Sequence, residues 1–309
     1  MKDLLLLAMF LIFAGCSDNK KQAGTPTPAP EKKPETEMLT MPSIPMAIVE
    51  PAERANYLSA HYWDNLILKP ISNDQDTARL EQYFSNYIAI LNESSQNNLS
   101  DNIRKSLTGI TGDSVYLAMF NFLADKYLYD PNSPYRNDEM YLVFVELFRN
   151  NPKLSYADSE RLKFKHNFLL KNRVGQKAID FKYDTDKGRT SLYKTNADYL
   201  LLYFNNPGCN ACAEVQGELM RSDVISRMED IGKLKILSIY PDEDLDEWLK
   251  HKEEQPDQWI RGYDSSTEIK KNQLYDLKAI PTLYLLDKQK NVILKDATLQ
   301  QIESYFYNN

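Results

Sequence analysis

Leu200-Leu201-Leu202-Tyr203-Phe204-Asn205-Asn206-Pro207-Gly208-Cys209-Asn210-Ala211-Cys212-Ala213-Glu214-Val215 decides how this chain is read. An apolar run rich in Leu, Tyr and Phe ends in a turn, and two cysteines then open a helix. A C-x-x-C pair between a strand and a helix points to redox chemistry. Cys209 falls at the helix N-terminus, where unpaired backbone N–H groups and the helix dipole favour negative charge. The thiolate is the nucleophile, and such places favour it. Cys212, one turn on, is placed to attack a mixed disulfide and release the reduced partner. A structural zinc site is the plain alternative. It normally needs four ligands, and beyond this pair the chain offers three scattered histidines, a poor fit. A buried inert pair is the other alternative. The strand before and the helix after favour redox chemistry over both.

A second feature lies downstream. Lys278-Ala279-Ile280-Pro281-Thr282 leads into the strand pattern Leu283-Tyr284-Leu285-Leu286-Asp287. Proline is tolerated at the first residue of a strand. With both features, the last part of the chain resembles the thioredoxin superfamily, and within it the TlpA/ResA-like extracytoplasmic thiol–disulfide proteins. More narrowly, it is similar to a lipid-anchored group in which a helical domain precedes the thioredoxin-like domain. Tyr240-Pro241-Asp242-Glu243-Asp244, Trp259-Ile260-Arg261-Gly262-Tyr263-Asp264 and Gln273-Leu274-Tyr275-Asp276-Leu277 carry that narrower likeness. The resemblance implies a cis Pro281 lying against the cysteine pair, with the backbone of Ile280 meeting a bound substrate strand. Pro207 and Gly208 then form the turn that exposes the first sulfur.

A length of 309 residues suggests two domains, each large enough for its own core. The net charge of −7 argues against nucleic acid as a partner, because phosphate contacts need a basic face. The three cysteines are Cys16, Cys209 and Cys212. If Cys16 is acylated, no odd thiol remains and the C-x-x-C pair can bridge only itself.

Residues 1–15 read as a secretory signal: Lys2 supplies a basic start, and Leu4 to Phe13 an apolar stretch too short for the about 20 residues that span a bilayer. Ala14-Gly15-Cys16 resembles a bacterial lipobox, with Phe13 where Leu is usual. That resemblance implies a lipid on Cys16, and Ser17 matches the pattern for outer-membrane delivery, with the periplasmic or surface face left open. Residues 16–45 are rich in Lys, Thr, Pro and Glu, as in Thr25-Pro26-Thr27-Pro28-Ala29-Pro30, and are expected to form a disordered tether.

Residues 46–172 read as an all-α domain. Helices are expected over Ala52 to Leu66, Thr77 to Leu91 after a cap at Asn73-Asp74, Leu99 to Ile110, Val115 to Tyr129, Glu139 to Phe148 and Ser155 to Leu170. Their Tyr and Phe stripes read as core. His61 and His166 are assigned no catalytic role. Residues 173–309 read as a thioredoxin-like α/β domain with a central mixed sheet, which makes the whole chain α+β. Strands are expected at Phe181 to Tyr183, Ser191 to Tyr193, Tyr199 to Asn205, Leu234 to Tyr240, Trp259-Ile260, Leu283 to Leu286 and Val292 to Lys295. Helices are expected at Cys209 to Met228, Asp242 to Lys252, Ser266 to Leu274 capped by serine, and Thr298 to Tyr305.

The site departs from its relatives in several places. Gly208 stands where thioredoxins have Trp, and Tyr203 where they carry a buried acid. Val215 occupies the place of the glutamate that TlpA/ResA proteins use, with Glu214 one position early, so no side chain inherits the proton-shuttle role. The expected function is a membrane-anchored extracytoplasmic thiol–disulfide oxidoreductase. Cys209 and Cys212 are the catalytic pair, while Gly208, Ile280 and Pro281 contact the substrate. The implied partners are exported proteins with disulfides and a membrane electron donor; no cofactor or metal is expected. The competing function is a non-catalytic binding or scaffold lipoprotein, in which the fold is a platform and the disulfide staples one helix end. A peroxidase of the peroxiredoxin type would need a P-x-x-x-T-x-x-C setting, which Thr195 and Asn205-Asn206 do not supply.

Overall fold

A computed structural model describes residues 37–309. The stretch read as a signal, Cys16 and most of the stretch read as a tether lie outside the described residues. Met38 and Leu39, within the stretch read as tether, are buried against the helical core, and the Ile67 N–H donates to the Met38 carbonyl at 3.0 Å.

The N-terminal part is helical, and most of its segments carry their own start signal. Helix α1 (Pro51–His61) opens on proline, whose missing N–H would have had no helical partner there. Helix α2 (Asp74–Glu93) is capped by Asn73, which accepts from the Asp76 N–H. Helix α3 (Leu99–Ser106) ends short of the expected Ile110, and a 3₁₀ turn, Ile110–Gly112, follows. Asp113 caps α4 (Ser114–Ala124), which runs on into one π-helical turn, Asp125–Tyr129. Asn137 caps α5 (Asp138–Phe148), and Ser155 caps α6 (Tyr156–Leu169). The aromatic stripe of α2 is core as expected. Phe84 packs against Phe120 and Phe144, and Tyr87 against Tyr62 and Trp63.

The chain then builds one seven-stranded sheet. A hairpin of β1 (Lys182–Thr185) and β2 (Gly188–Ser191) comes first. The second strand lies earlier than expected: Leu192–Lys194 is a 3₁₀ turn, held because the Asp180 carboxylate accepts from the Tyr193 N–H at 2.9 Å. Strand β3 (Tyr199–Phe204) leads to α7 (Asn210–Arg221) and α8 (Asp223–Asp230). These are two helices where one was expected. Ser222 breaks the run: it adopts extended backbone, and its hydroxyl accepts from the Ile225 N–H to start the second helix.

Strand β4 (Leu234–Tyr240), the inserted helix α9 (Leu245–His251) and β5 (Ile260–Tyr263) follow. Helix α10 (Glu268–Lys271) is a single turn rather than the longer serine-capped helix expected. The buried Asp264 carboxylate takes the N–H groups of Ser266 and Ile269, and Gln273 has a positive φ of 51°, which ends the helix early. Strands β6 (Thr282–Leu286) and β7 (Val292–Lys295) precede α11 (Leu299–Asn308), which Thr298 and Gln301 close with a capping box.

The strand order is β2-β1-β5-β4-β3-β6-β7. Strands β3, β4 and β5 are parallel, and β6 runs antiparallel to β3. Alternation along β3 feeds both faces. Leu200, Leu202 and Phe204 join one core, Leu201 and Tyr203 the other. Gly262 lets two strands approach, since a Cβ there would lie 2.7 Å from the Tyr183 ring. The topology sets the position of the site. The end of β3 is paired with the start of β6, Phe204 opposite Thr282, so the turn carrying Cys209 and the loop carrying Pro281 meet at one end of these interior strands.

Candidate active site

Strand β3 ends at Phe204 because the next residues cannot continue it. Asn205 turns inward, and Pro207 and Gly208 make the bend. Gly208 has a φ of 71°, a conformation that side-chain-bearing residues adopt only at a cost. Cys209 is then the N-cap of α7, with extended backbone, and its sulfur accepts from the Cys212 N–H at 3.3 Å. One amide of the helix start, unpaired within the helix, therefore points at this sulfur.

The two thiols sit in different surroundings. Cys209 is half-buried and Cys212 is buried. Burial, above all, pushes the Cys212 thiol up to about 12; the Asn206 N–H, 3.5 Å from its sulfur, acts against that, and Cys209 adds to it. Beneath the pair, the Tyr203 hydroxyl donates to the Cys212 carbonyl at 2.7 Å. Burial, and then the two neighbouring sulfurs, raise that phenol above the ordinary tyrosine range.

The peptide bond between Ile280 and Pro281 is cis, as the resemblance implied. The Cys209 S–H donates to the Ile280 carbonyl at 3.9 Å. The structure thus brings together Gly208, Cys209, Cys212, Ile280 and Pro281. Cys16 lies outside the described residues. Val215 packs partly into the core and Glu214 is exposed.

A groove of about 60 Å³ opens beside the pair, bounded by Tyr203, Asn205, Cys209, Cys212, His251 and Gln255. Three of these are additions to the sequence reading. Asn205 is buried; its amide donates to the Ser238 hydroxyl at 2.7 Å and its oxygen accepts from Gln255 at 3.2 Å. This network holds the floor of the turn. His251, on the inserted helix, pairs with Glu254 at 2.8 Å and Glu247 at 3.1 Å. The hydrogen bond to Glu254 chiefly raises its pKa, with loss of solvent acting against it. The one signal available for Asn205 was a polar residue closing an apolar strand; His251 and Gln255 carried none. Among the described residues, no group of three or more His, Cys, Asp and Glu is placed to hold a metal, and no helix is long and apolar enough to cross a membrane.

Comparison with known proteins agrees with this architecture. The family model for a domain of unknown function, DUF5106, matches residues 15–172, and the thioredoxin-like family model matches residues 196–292. No curated protein matches the chain. Among solved structures, a thioredoxin-like protein from Bacteroides caccae is 46% identical, covering 89% of this chain and 100% of that one, with a TM-score of 0.84. The C-terminal domain of an uncharacterized protein from Bacteroides fragilis is 55% identical, covering 44% of this chain and 98% of that one, with a TM-score of 0.43. The thioredoxin domain of a thiol-disulfide oxidoreductase from Bacteroides vulgatus is 20% identical, covering 44% of this chain and 96% of that one, with a TM-score of 0.39. The chain belongs to the thioredoxin-like family, as a member in which a DUF5106 domain precedes the thioredoxin-like domain.

Proposed function

We propose that this protein is an extracytoplasmic thiol–disulfide oxidoreductase, tethered to the outer membrane through lipid on Cys16, that reduces disulfides in exported polypeptides. One observation carries the reading: the half-exposed Cys209 sulfur caps a helix and faces the Ile280 carbonyl, while its partner Cys212 is buried one turn behind.

That asymmetry gives the order of events. The Cys209 thiolate attacks one sulfur of the substrate disulfide. The other sulfur leaves and takes a proton, and a mixed disulfide forms. Burial keeps Cys212 protonated at neutral pH, so it does not compete for the first attack. It loses its proton as it attacks the Cys209 sulfur, with the Asn206 N–H supporting the negative charge. The second substrate sulfur leaves as a thiol. The substrate gains two electrons and two protons, and Cys209 and Cys212 become a disulfide. Return to the dithiol requires two electrons from a membrane dithiol donor. Among the described residues no buried carboxylate stands beside Cys212; the place is taken by Tyr203, whose raised pKa suits it to bracing rather than proton transfer.

The test is reduction of insulin disulfides by the purified, pre-reduced chain. Parent protein should consume its dithiol with release of insulin chains, and Cys209→Ser should be inert. A parent no faster than Cys209→Ser would leave a binding platform as the function.

A further inference from the structure

The helical domain reaches the loop that faces Cys209. The segment leading into that loop is gripped at four points. The Lys171 ammonium donates to the Gln273 carbonyl at 2.6 Å, and the Asn172 amide to the Leu274 carbonyl at 2.9 Å. The Tyr129 hydroxyl donates to the Asp276 carboxylate at 3.2 Å. The Lys278 ammonium lies 3.9 Å over the Tyr129 ring and 3.4 Å from the Asp138 carboxylate. Lys278 is two residues from Ile280, so their backbones are at most about 7 Å apart.

Beside this grip lies an open cleft of about 310 Å³, bounded by Tyr129, Phe164 and Phe168 from the helical domain and by Tyr275, Leu277 and Lys278 from the other. Phe164 and Phe168 stack edge to face at 5.0 Å, yet Phe164 is 54% exposed. Phe164 and Phe168 thus place a pair of apolar rings on a wall shared by two domains. The lysines at the rim, Lys270 and Lys278, are ion-paired with Asp242 and Asp138, so the cleft offers apolar surface rather than unbalanced charge.

We propose that the helical domain forms the second half of the substrate groove: this cleft receives an aromatic or branched aliphatic side chain of the polypeptide whose disulfide Cys209 attacks. The occupant is a polypeptide because Lys278, on the cleft wall, is two residues from Ile280, whose carbonyl lies 3.9 Å from the Cys209 sulfur. An extended strand laid along that loop advances about 3.3 Å per residue, so a side chain about three residues from the substrate cysteine reaches the cleft. The grip on the segment from Gln273 to Lys278 fixes the distance between cleft and sulfur. The inference rests on the redox reading and adds a substrate preference to it.

The test uses the full chain, pre-reduced, and nonapeptides bearing one cysteine as a mixed disulfide with thionitrobenzoate. Attack by Cys209 and then Cys212 leaves peptide thiol, free thionitrobenzoate and the enzyme disulfide; the released dye is read by absorbance. One pair of peptides carries phenylalanine three residues before or after the cysteine, the other serine. Parent protein should prefer the better phenylalanine peptide over its serine counterpart by roughly fivefold or more. Phe164→Ser should lose that preference, and Phe164→Leu should regain most of it. Because Phe164 is more than half exposed, neither change removes a core contact. A parent without preference, a Phe164→Ser protein that keeps it, or equal losses on all peptides would overturn the proposal. Dye release no faster than from Cys209→Ser would instead overturn the redox reading, and this inference with it.

Discussion

The Tyr203 hydroxyl donates a 2.7 Å hydrogen bond to the Cys212 carbonyl, tying the central strand to the first turn of α7. Tyr203→Phe keeps the ring and removes that bond, leaving a buried carbonyl with one partner fewer. We expect a loss of about 1–2 kcal/mol in urea unfolding. Single-turnover rates on a small disulfide should stay within about threefold of parent, because the phenol braces the helix and carries no proton. A loss beyond about a hundredfold, with folding intact, would make Tyr203 the proton carrier after all.

The buried Cys212 gives the reduced protein a pH signature. Its folded pKa is raised to about 12 from an ordinary 9.0. A raised pKa means the folded state holds its proton longer than the unfolded chain. The contribution is therefore fully present below about pH 9 and is lost as pH climbs toward the folded value. Reduced parent should lose thermal stability between pH 9 and 11 more steeply than reduced Cys212→Ala. Parallel curves would show that burial does not hold this thiol protonated.

How much of this was legible in the sequence can be judged element by element. The Cys209–Cys212 pair and the Ile280-Pro281 step were readable because each combines local chemistry with a strand pattern, and the antiparallel pairing of β3 and β6 brings them together. The long helices were readable from stripes and caps such as Asn73 and Ser155. The break at Ser222 was missed because the apolar spacing of Leu219, Ile225 and Met228 carries on through it. The shortened α10 was missed because its start is set by Asp264, a side chain outside the helix, and its end by the left-handed backbone at Gln273. The grip on Lys278 left no trace in the sequence: its partners Tyr129 and Asp138 lie more than a hundred residues upstream, and only tertiary structure joins them.

That interdomain grip makes its own prediction. Asp138 stands at the first position of α5, 2.9 Å from Lys295 and 3.4 Å from Lys278, all three side chains nearly buried. Burial acts to raise its carboxyl, but the two lysines outweigh that and hold it below the usual carboxylate range. Removing the charge leaves nearly buried Lys295 without its carboxylate and Lys278 with Asp276 alone, so Asp138→Asn should cost about 3 kcal/mol. The sign of the pH effect follows from the lowered pKa. The stabilisation is present at neutral pH and is lost as pH falls below about 4 through the folded value. The gap between parent and variant in chemical unfolding should therefore narrow on acidification; a gap independent of pH would contradict the ion-pair account.

The buried Asn205 offers a further check on the floor of the turn. Its amide spans Ser238 and Gln255. Asn205→Leu would leave the Ser238 hydroxyl without its donor and replace a satisfied polar group by an apolar one. We expect about 1–3 kcal/mol of destabilisation and slower exchange at Cys209, read by urea unfolding and alkylation rate together. Normal alkylation with lowered stability would confine Asn205 to a structural role.

The most direct measurement is capture in the cell envelope. The full chain carrying Cys212→Ser retains the attacking sulfur and lacks the resolving one. It should accumulate adducts with exported polypeptides that are seen on non-reducing gels and vanish on reduction. The double variant Cys209→Ser, Cys212→Ser should show none. Adducts undiminished in the double variant, or none in the single one, would contradict attack by Cys209 on protein disulfides.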